Sequence, residues 1–338
     1  MSTTRNRYPG LRPFDSEEEQ YFFGREKEVE AVCRLLDLDR LTILHGPSGM
    51  GKSSLINAGI LPTLEKNRNW DIPYHVVPIR FTNYDPELAR IRRERQGRAD
   101  LDFDLIKDPI DRFIAACLST DRKWEPIIPM PKPSLWLSAK KMMVDLAIRP
   151  LKLVFILDQF EELFTYPEER VQEFGEQLSE LFHQNIPESV RKGIERKQII
   201  ESEQEVSSTK LKLPSPKEAQ LMARIEEPLD CKILISMRSD KLHFLERLKA
   251  HLPEMLLNSY ELRSFDTDQA KNAIKYPATM PGDNFISPKF EINDELLDEI
   301  IGFLEDKITR RIDPSQLQIV CQHIERKIIK RARKNKMN

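Results

Sequence analysis

The sequence predicts an α/β fold, a mostly parallel five-stranded sheet flanked by helices and followed by a small all-helical domain. Three observations carry this. The runs LTIL, LVFIL and KILIS are apolar almost without interruption, as strands covered by helices on both faces must be. Amphipathic helical stretches alternate with those runs, and after Arg263 only helical patterns remain.

Strands are expected at 41–44, 75–81, 153–157, 232–236 and, least apolar of the five, 259–262. Helices are expected between them at 26–36, 53–61, 168–182 and 240–249, the alternation of a doubly wound sheet. Two regions break the rhythm. Residues 84–135 join a basic stretch, ELARIRRERQGR, to a proline-rich one, WEPIIPMPKPS, and read as a helical insertion between the second and third strands. Residues 185–224 are polar, charged and poor in aromatics, too little apolar surface for a packed unit, so a mobile loop is expected. Residues 1–263 form the sheet-bearing domain in this reading and 264–338 the helical one, with helices at 267–274, 294–305 and 314–330. Asp313 followed by Pro314 is a helix-start signal, and Leu317, Ile319, Val320, Ile324 and Ile328 supply the last helix with a face to bury.

The 338 residues carry 53 basic and 55 acidic side chains, a formal net charge of -2, so no global field calls for nucleic acid or a membrane. No run of eighteen apolar residues occurs, and the polar start MSTTRNRYPG lacks the layout of a secretion leader. A cytoplasmic protein is expected. Cys33, Cys117, Cys231 and Cys321 form no CxxC and the six histidines no HExxH, which points to buried reduced thiols rather than a zinc site or a disulfide framework.

Residues 46–53 read GPSGMGKS, directly after LTIL and at the start of a helix. That is the P-loop pattern in its proper context. Phosphate oxygens need several donors converging on a small concave space, and only a loop free of side-chain bulk lets backbone N–H groups come that close. The cradle is Gly46, Pro47, Ser48, Gly49, Met50, Gly51, Lys52 and Ser53, with Ser54 as a spare hydroxyl. Lys52 would reach the β- and γ-phosphates and Ser53 would join a magnesium shell. A carboxylate ending a second buried strand should complete that shell, and LKLVFILDQFEELF supplies Asp158; the bland alternative is a strand followed by an acidic helix start. The next residue is Gln159, where many hydrolysing ATPases carry glutamate, so Glu161 and Glu162 are the candidates to polarise water. Arg238, at the end of KILISMR, is a candidate γ-phosphate sensor or one half of a salt bridge with Asp240 or with an acid of 161–162. His45 reads as a packed strand-end residue.

Together these segments resemble the STAND class of signalling P-loop NTPases, related to AAA+ ATPases, in a prokaryotic subgroup. The resemblance spans about residues 8–325 and rests on YPGLRPF at 8–14, YFFGRE at 21–26, GPSGMGKSSLINAGILP at 46–62, LDQFEELF at 157–164, SMRSD at 236–240 and DPSQLQIVCQ at 313–322. It implies strand order 5-1-4-3-2, ATP or ADP with Mg²⁺ as cofactors, and Phe22, Phe23, Gly24 and Arg25 on the adenine and ribose side; the alternative for that segment is a helix start with an aromatic staple. A guanine-reading NKxD is missing, since KNKMN at 334–338 has no Asp. In relatives further helical and winged-helix parts follow, then a sensor; this chain stops within the first helical domain, which fits either a shortened chain or a two-component system. The resemblance implies a slow ATPase switch in bacterial signalling or defence that oligomerises on activation and works with a sensor or effector outside this chain. A nucleotide-binding module with little turnover is the second reading. A DNA-acting ATPase is the third, on the basic runs at 90–98 and 324–336, neither of them interleaved with aromatics.

Overall fold

A computed structural model describes residues 5–66, 73–87, 108–117, 132–146, 151–207 and 222–335, except 184, 254, 256 and 283, with single positions at 128, 130 and 219. Five strands, β1 (Leu41–Gly46), β2 (Tyr74–Arg80), β3 (Lys152–Asp158), β4 (Cys231–Arg238) and β5 (Ser259–Glu261), form one sheet in the order β2-β3-β4-β1-β5. Read from the other edge this is 5-1-4-3-2, as expected, and every pairing is parallel.

The uninterrupted apolar runs have a simple cause. Successive strand residues point to opposite faces, and here both faces are covered. Leu153, Phe155 and Leu157 enter one core with Phe113, Trp136, Phe160 and Phe174. Val154 and Ile156 enter the other with Val32, Leu36, Leu55 and Ile60. Each such fully buried side chain contributes about 1.5–3 kcal/mol over its exposed state. Register then gathers the strand ends: Gly46 lies opposite Arg238, and Arg80 opposite Asp158, all at the carboxyl edge of the sheet.

The helices α1 (Glu26–Leu38), α2 (Lys52–Leu55), α3 (Leu61–Lys66), α4 (Pro109–Cys117), α5 (Leu135–Leu146) and α6 (Glu168–Glu180) surround the sheet. The single helix expected at 53–61 is divided by a π turn, Ile56–Ile60, between α2 and α3. It lies just before Pro62, which has no N–H to donate into the preceding turn. The helix expected at 240–249 is a run of 3-10 turns, Ser239–Leu248. Leu242, Leu245 and Leu248 recur every third residue and all pack on the core, which suits a period of three better than 3.6.

The loop expected over 185–224 is not loop throughout, because helix α7 (Glu188–Ser207) occupies its first half. Val190 is fully buried and Ile194 packs on the core, so the segment has an anchor that its polar composition concealed. Of the rest of that call, 208–218, 220 and 221 lie outside the described residues, as do the basic run at 90–98 and most of the proline-rich stretch.

Helices α8 (Thr267–Thr279), α9 (Asp294–Leu304) and α10 (Pro314–Asn335) build the helical unit around Ile274, Leu297, Ile301, Leu317 and Cys321. Asp313 caps α10 by accepting from the backbone N–H of Ser315 (2.8 Å) and Gln316 (3.1 Å), and Pro314 stands first in the helix. Ile319 corrects the expected face: it is half exposed, because the buried stripe runs through Leu317, Cys321 and Ile324 and leaves a residue two positions on from Leu317 turned away. Tyr8, from the other end of the chain, belongs to this same core. Among the described residues no helix is long and apolar enough to cross a membrane.

Candidate functional site

At the carboxyl edge of the sheet β1 gives way to the glycine loop and then to α2. Gly51 has φ +85°, the left-handed region where side chains are strained, and no heavy atom stands within 4 Å of where its Cβ would be. The loop therefore opens onto empty space. Lys52 folds back over it and donates from Nζ to the carbonyls of Gly46 (2.8 Å) and Pro47 (2.9 Å). Burial lowers the pKa of this ammonium, and Glu161 and Asp158 work against that shift.

Asp158 ends β3 with each carboxylate oxygen engaged: Oδ2 accepts from Ser53 Oγ (2.8 Å) and Oδ1 from Ser236 Oγ (2.8 Å). The carboxylate is thus fixed between the P-loop helix and the neighbouring strand β4. Gln159 takes a left-handed turn, φ 56°, and its Oε1 accepts from Arg80 Nε (2.8 Å). The 3-10 turns that follow, Phe160–Thr165, are held by buried Phe160, Leu163 and Phe164, which leaves Glu161 and Glu162 on the wall of the central cavity. Burial raises the pKa of Glu161, and its Oε2 is buried with no hydrogen-bond partner.

Arg238 also faces this cavity, yet it makes the salt bridge that the sequence left open, Nε to Asp240 Oδ1 (3.0 Å) and Nη2 to Oδ2 (2.8 Å). That hydrogen-bonded pairing raises the pKa of the guanidinium. His45 Nδ1 lies 3.0 Å from Ser239 Oγ, and burial lowers the imidazole pKa.

Across the cavity, Phe22 packs edge-on to Phe14, and Phe23 lies against Tyr276 of α8. Gly24 has φ +85°, and a Cβ there would collide with the Gln269 carbonyl, so only glycine lets the segment pass α8 this closely. Arg25 is buried, pairs with Glu28 (2.9 Å), donates to the Met50 carbonyl (3.3 Å) and stacks 4.1 Å from the centre of the Phe265 ring. It ties the P-loop to the helical unit, and burial lowers its pKa.

One cavity of about 360 Å³ joins these groups. Phe23, Arg25, Ser48, Gly49, Met50, Gly51, Lys52, Ser53, Ser54, Asp158, Glu161, Glu162 and Arg238 all line it, whereas Gly24, Gly46 and Pro47 do not. Other wall residues had no site role in the sequence reading: Gly10 to Phe14, and Ser315 and Gln318 of α10. The only signal for them was their membership of the YPGLRPF and DPSQLQ blocks. Ser236 was missed as well, since a serine in an apolar strand reads as core. The donor set fits a nucleotide with a divalent ion: an ammonium, a hydroxyl and an oriented carboxylate converge on the open side of a glycine loop.

No curated protein matches the sequence. Among solved structures, the chain is similar to the Walker-type ATPase PABY2304 of Pyrococcus abyssi, with TM-score 0.46 and 15% identity over 96% of this chain and 73% of that one. It is similar to the Aeropyrum pernix ORC1 protein, solved in complex with DNA, with TM-score 0.44 and 10% identity over 97% of this chain and 66% of that one. The ADP form of the Aeropyrum pernix ORC2 protein gives TM-score 0.40 and 13% identity over 74% of this chain, which covers 51% of its length. The family model described as Novel STAND NTPase 1 matches residues 8–306, most of the chain. This P-loop chain belongs to that family of STAND NTPases.

Proposed function

We propose that this nucleotide-binding module is an ATP-driven switch: it binds ATP or ADP with magnesium, hydrolyses ATP slowly and self-associates in the triphosphate state. One observation supports this above the others. The cavity is walled by both parts of the molecule, Lys52, Ser53 and Asp158 from the sheet side and Phe265 and Ser315 from the helical side. A ligand shifts a conformational equilibrium only through contacts that differ between the two arrangements, and a nucleotide here would touch both units.

Lys52 would meet the β- and γ-phosphates. Ser53 and Asp158 would hold Mg²⁺, which when bound neutralises charge on the phosphate oxygens. Glu161, with a buried oxygen that lacks a partner, is the better candidate to take a proton from water, and Glu162 is the second. Arg238 would exchange Asp240 for the γ-phosphate. Phe23 and Arg25 belong to the base and ribose side of this reading. A cytoplasmic site of action, a role in bacterial signalling or defence, and a sensor or effector partner are part of the proposal on family likeness.

The test is the mass of the particle in solution with ADP, with ATP and with a non-hydrolysable analogue, for the wild type and Lys52→Ala. Wild type should grow with ATP or the analogue and stay small with ADP, while Lys52→Ala stays small throughout. A mass indifferent to nucleotide overturns the switch, and no uptake of nucleotide by the wild type overturns the site. The bond between Gln159 and Arg80 favours a second reading, a module with little turnover, because the residue after Asp158 is committed elsewhere. Multiple-turnover phosphate release decides between the two: none from the wild type favours the module.

A further inference from the structure

Among the described residues six buried side-chain polar atoms lack a partner, and two of these, Glu161 Oε2 and Gln318 Oε1, belong to residues lining the same cavity. Glu161 has a role in the reading above; Gln318 has none. A buried acceptor left unmatched is destabilising, so a donor from a ligand is the natural complement.

The position of Gln318 says which part of a nucleotide could supply that donor. Ser315, Gln318 and Gln322 fall on one stripe of α10, spaced three and then four residues apart. Ser315 abuts the phosphate loop, where a Cβ on Gly49 would stand 3.2 Å from its Oγ. Gln322 abuts the N-terminal segment, where a Cβ on Gly10 would stand 2.7 Å from its Nε2. Gln318 therefore lies one turn beyond the phosphate cradle, on the way to Gly10. The wall continues from Gly10 to Phe14, with Tyr21, Phe22 and Phe23 beside it, flat apolar side chains suited to a base.

We propose that Gln318 reads the base of the bound nucleotide and selects adenine, an inference that rests on the nucleotide reading of the cavity. Its Oε1 accepts from the exocyclic N6 amine of adenine while Nε2 of the same amide donates to N7. On that edge guanine and hypoxanthine present O6 and N7, two acceptors, and an amide with a single donor end leaves one of them unmatched whichever way it is turned.

The test is competition binding of ATP, ITP, GTP and inorganic tripolyphosphate, with magnesium, to the wild type and to Gln318→Leu. Wild type should hold ATP roughly tenfold to a hundredfold tighter than ITP or GTP, the discrimination of one bidentate amide pair. In Gln318→Leu that advantage should vanish while tripolyphosphate binds as before. An ATP preference that survives in the variant overturns the inference. So does a wild type that binds ITP as tightly as ATP, a result that needs no variant to fold. Failure of the wild type to bind ATP and tripolyphosphate alike would instead bring down the nucleotide reading itself.

Discussion

Asp158 and Glu161 lie three residues apart and face one cavity on different terms. Both oxygens of Asp158 are occupied by serine hydroxyls, whereas Glu161 keeps one oxygen unpaired and burial pushes its pKa up. A base that takes a proton from water must be ionised. If Glu161 is that base, turnover falls as pH drops through its raised pKa, so the acid limb should lie at higher pH than an ordinary carboxylate would give. Glu161→Gln should lower phosphate release by about 10²- to 10⁴-fold, with ATP binding retained, while Glu162→Gln keeps most of the rate. A pH–rate profile for each variant checks this, and an unchanged acid limb in slow Glu161→Gln turnover would assign the limb to another group. At this scale the sequence was readable where spacing encodes geometry. Lys52 and Ser53 follow from their places in the glycine loop, and Asp158 from its place at the end of an apolar run. Ser236 was not readable, because its role appears only when β3 and β4 are set side by side, and Gln318 was not, because its place on the cavity wall comes from the packing of a distant helix.

At the scale of elements, two-sided burial made β1, β3 and β4 legible, since runs this short, continuously apolar and rich in β-branched residues suit a covered strand better than a helix. The 3-10 run at Ser239–Leu248 and helix α7 were less so: a three-residue leucine repeat resembles an ordinary helix, and two anchoring residues disappear in a charged stretch. Helix α6 shows how local environment adds to such patterns. Its Val171, Phe174 and Leu178 face the core, and Glu180, near its end, is partly buried. Burial, with Glu176 adding to it, raises the Glu180 pKa to about 7. In the unfolded chain the same carboxyl ionises near the ordinary value of about 4.3. Between these two values the folded state holds a proton that the unfolded state has released, so stability falls as pH rises across that window. Glu180→Gln removes the penalty. It should match the wild type below about pH 4 and exceed it above pH 7 by on the order of 2 kcal/mol, the roughly 3–4 kcal/mol of the full shift being reduced by solvent screening because the carboxyl is only about half buried, read from urea midpoints at the two pH values. An equal gain at both would mean that packing, not charge, separates the variants.

Across the whole molecule the N-terminal segment reaches from the helical unit to the P-loop helix, alongside the contacts that Arg25 makes. Arg7 and Tyr8 are buried against the helical unit: Glu325 accepts from the backbone N–H of Arg7 (2.8 Å) and of Tyr8 (3.3 Å), and Ser287 Oγ donates to the same carboxylate (2.7 Å). The Arg7 guanidinium donates to the carbonyls of Pro277 and Met280, both at 2.8 Å. Six residues on from Tyr8, the Phe14 N–H donates to Ser54 Oγ (3.2 Å) and the Phe14 carbonyl accepts from Asn57 (3.1 Å), on the helical run that leaves the P-loop. Gly10 to Pro13, between these anchors, line the cavity. Glu325→Ala would strand two buried N–H groups and remove the carboxylate whose charge supports the buried Arg7, a loss of about 3–5 kcal/mol for a broken buried charge arrangement. The damage should be uneven, because the core around β1, β3 and β4 shares no side chain with this network. Hydrogen exchange should quicken at the amides of Arg7, Tyr8 and α10 and stay unchanged in the three central strands. Added ATP should then still protect α2 while no longer slowing α10. If exchange instead rises equally in strands and α10, the segment is part of one cooperative unit and does not couple two.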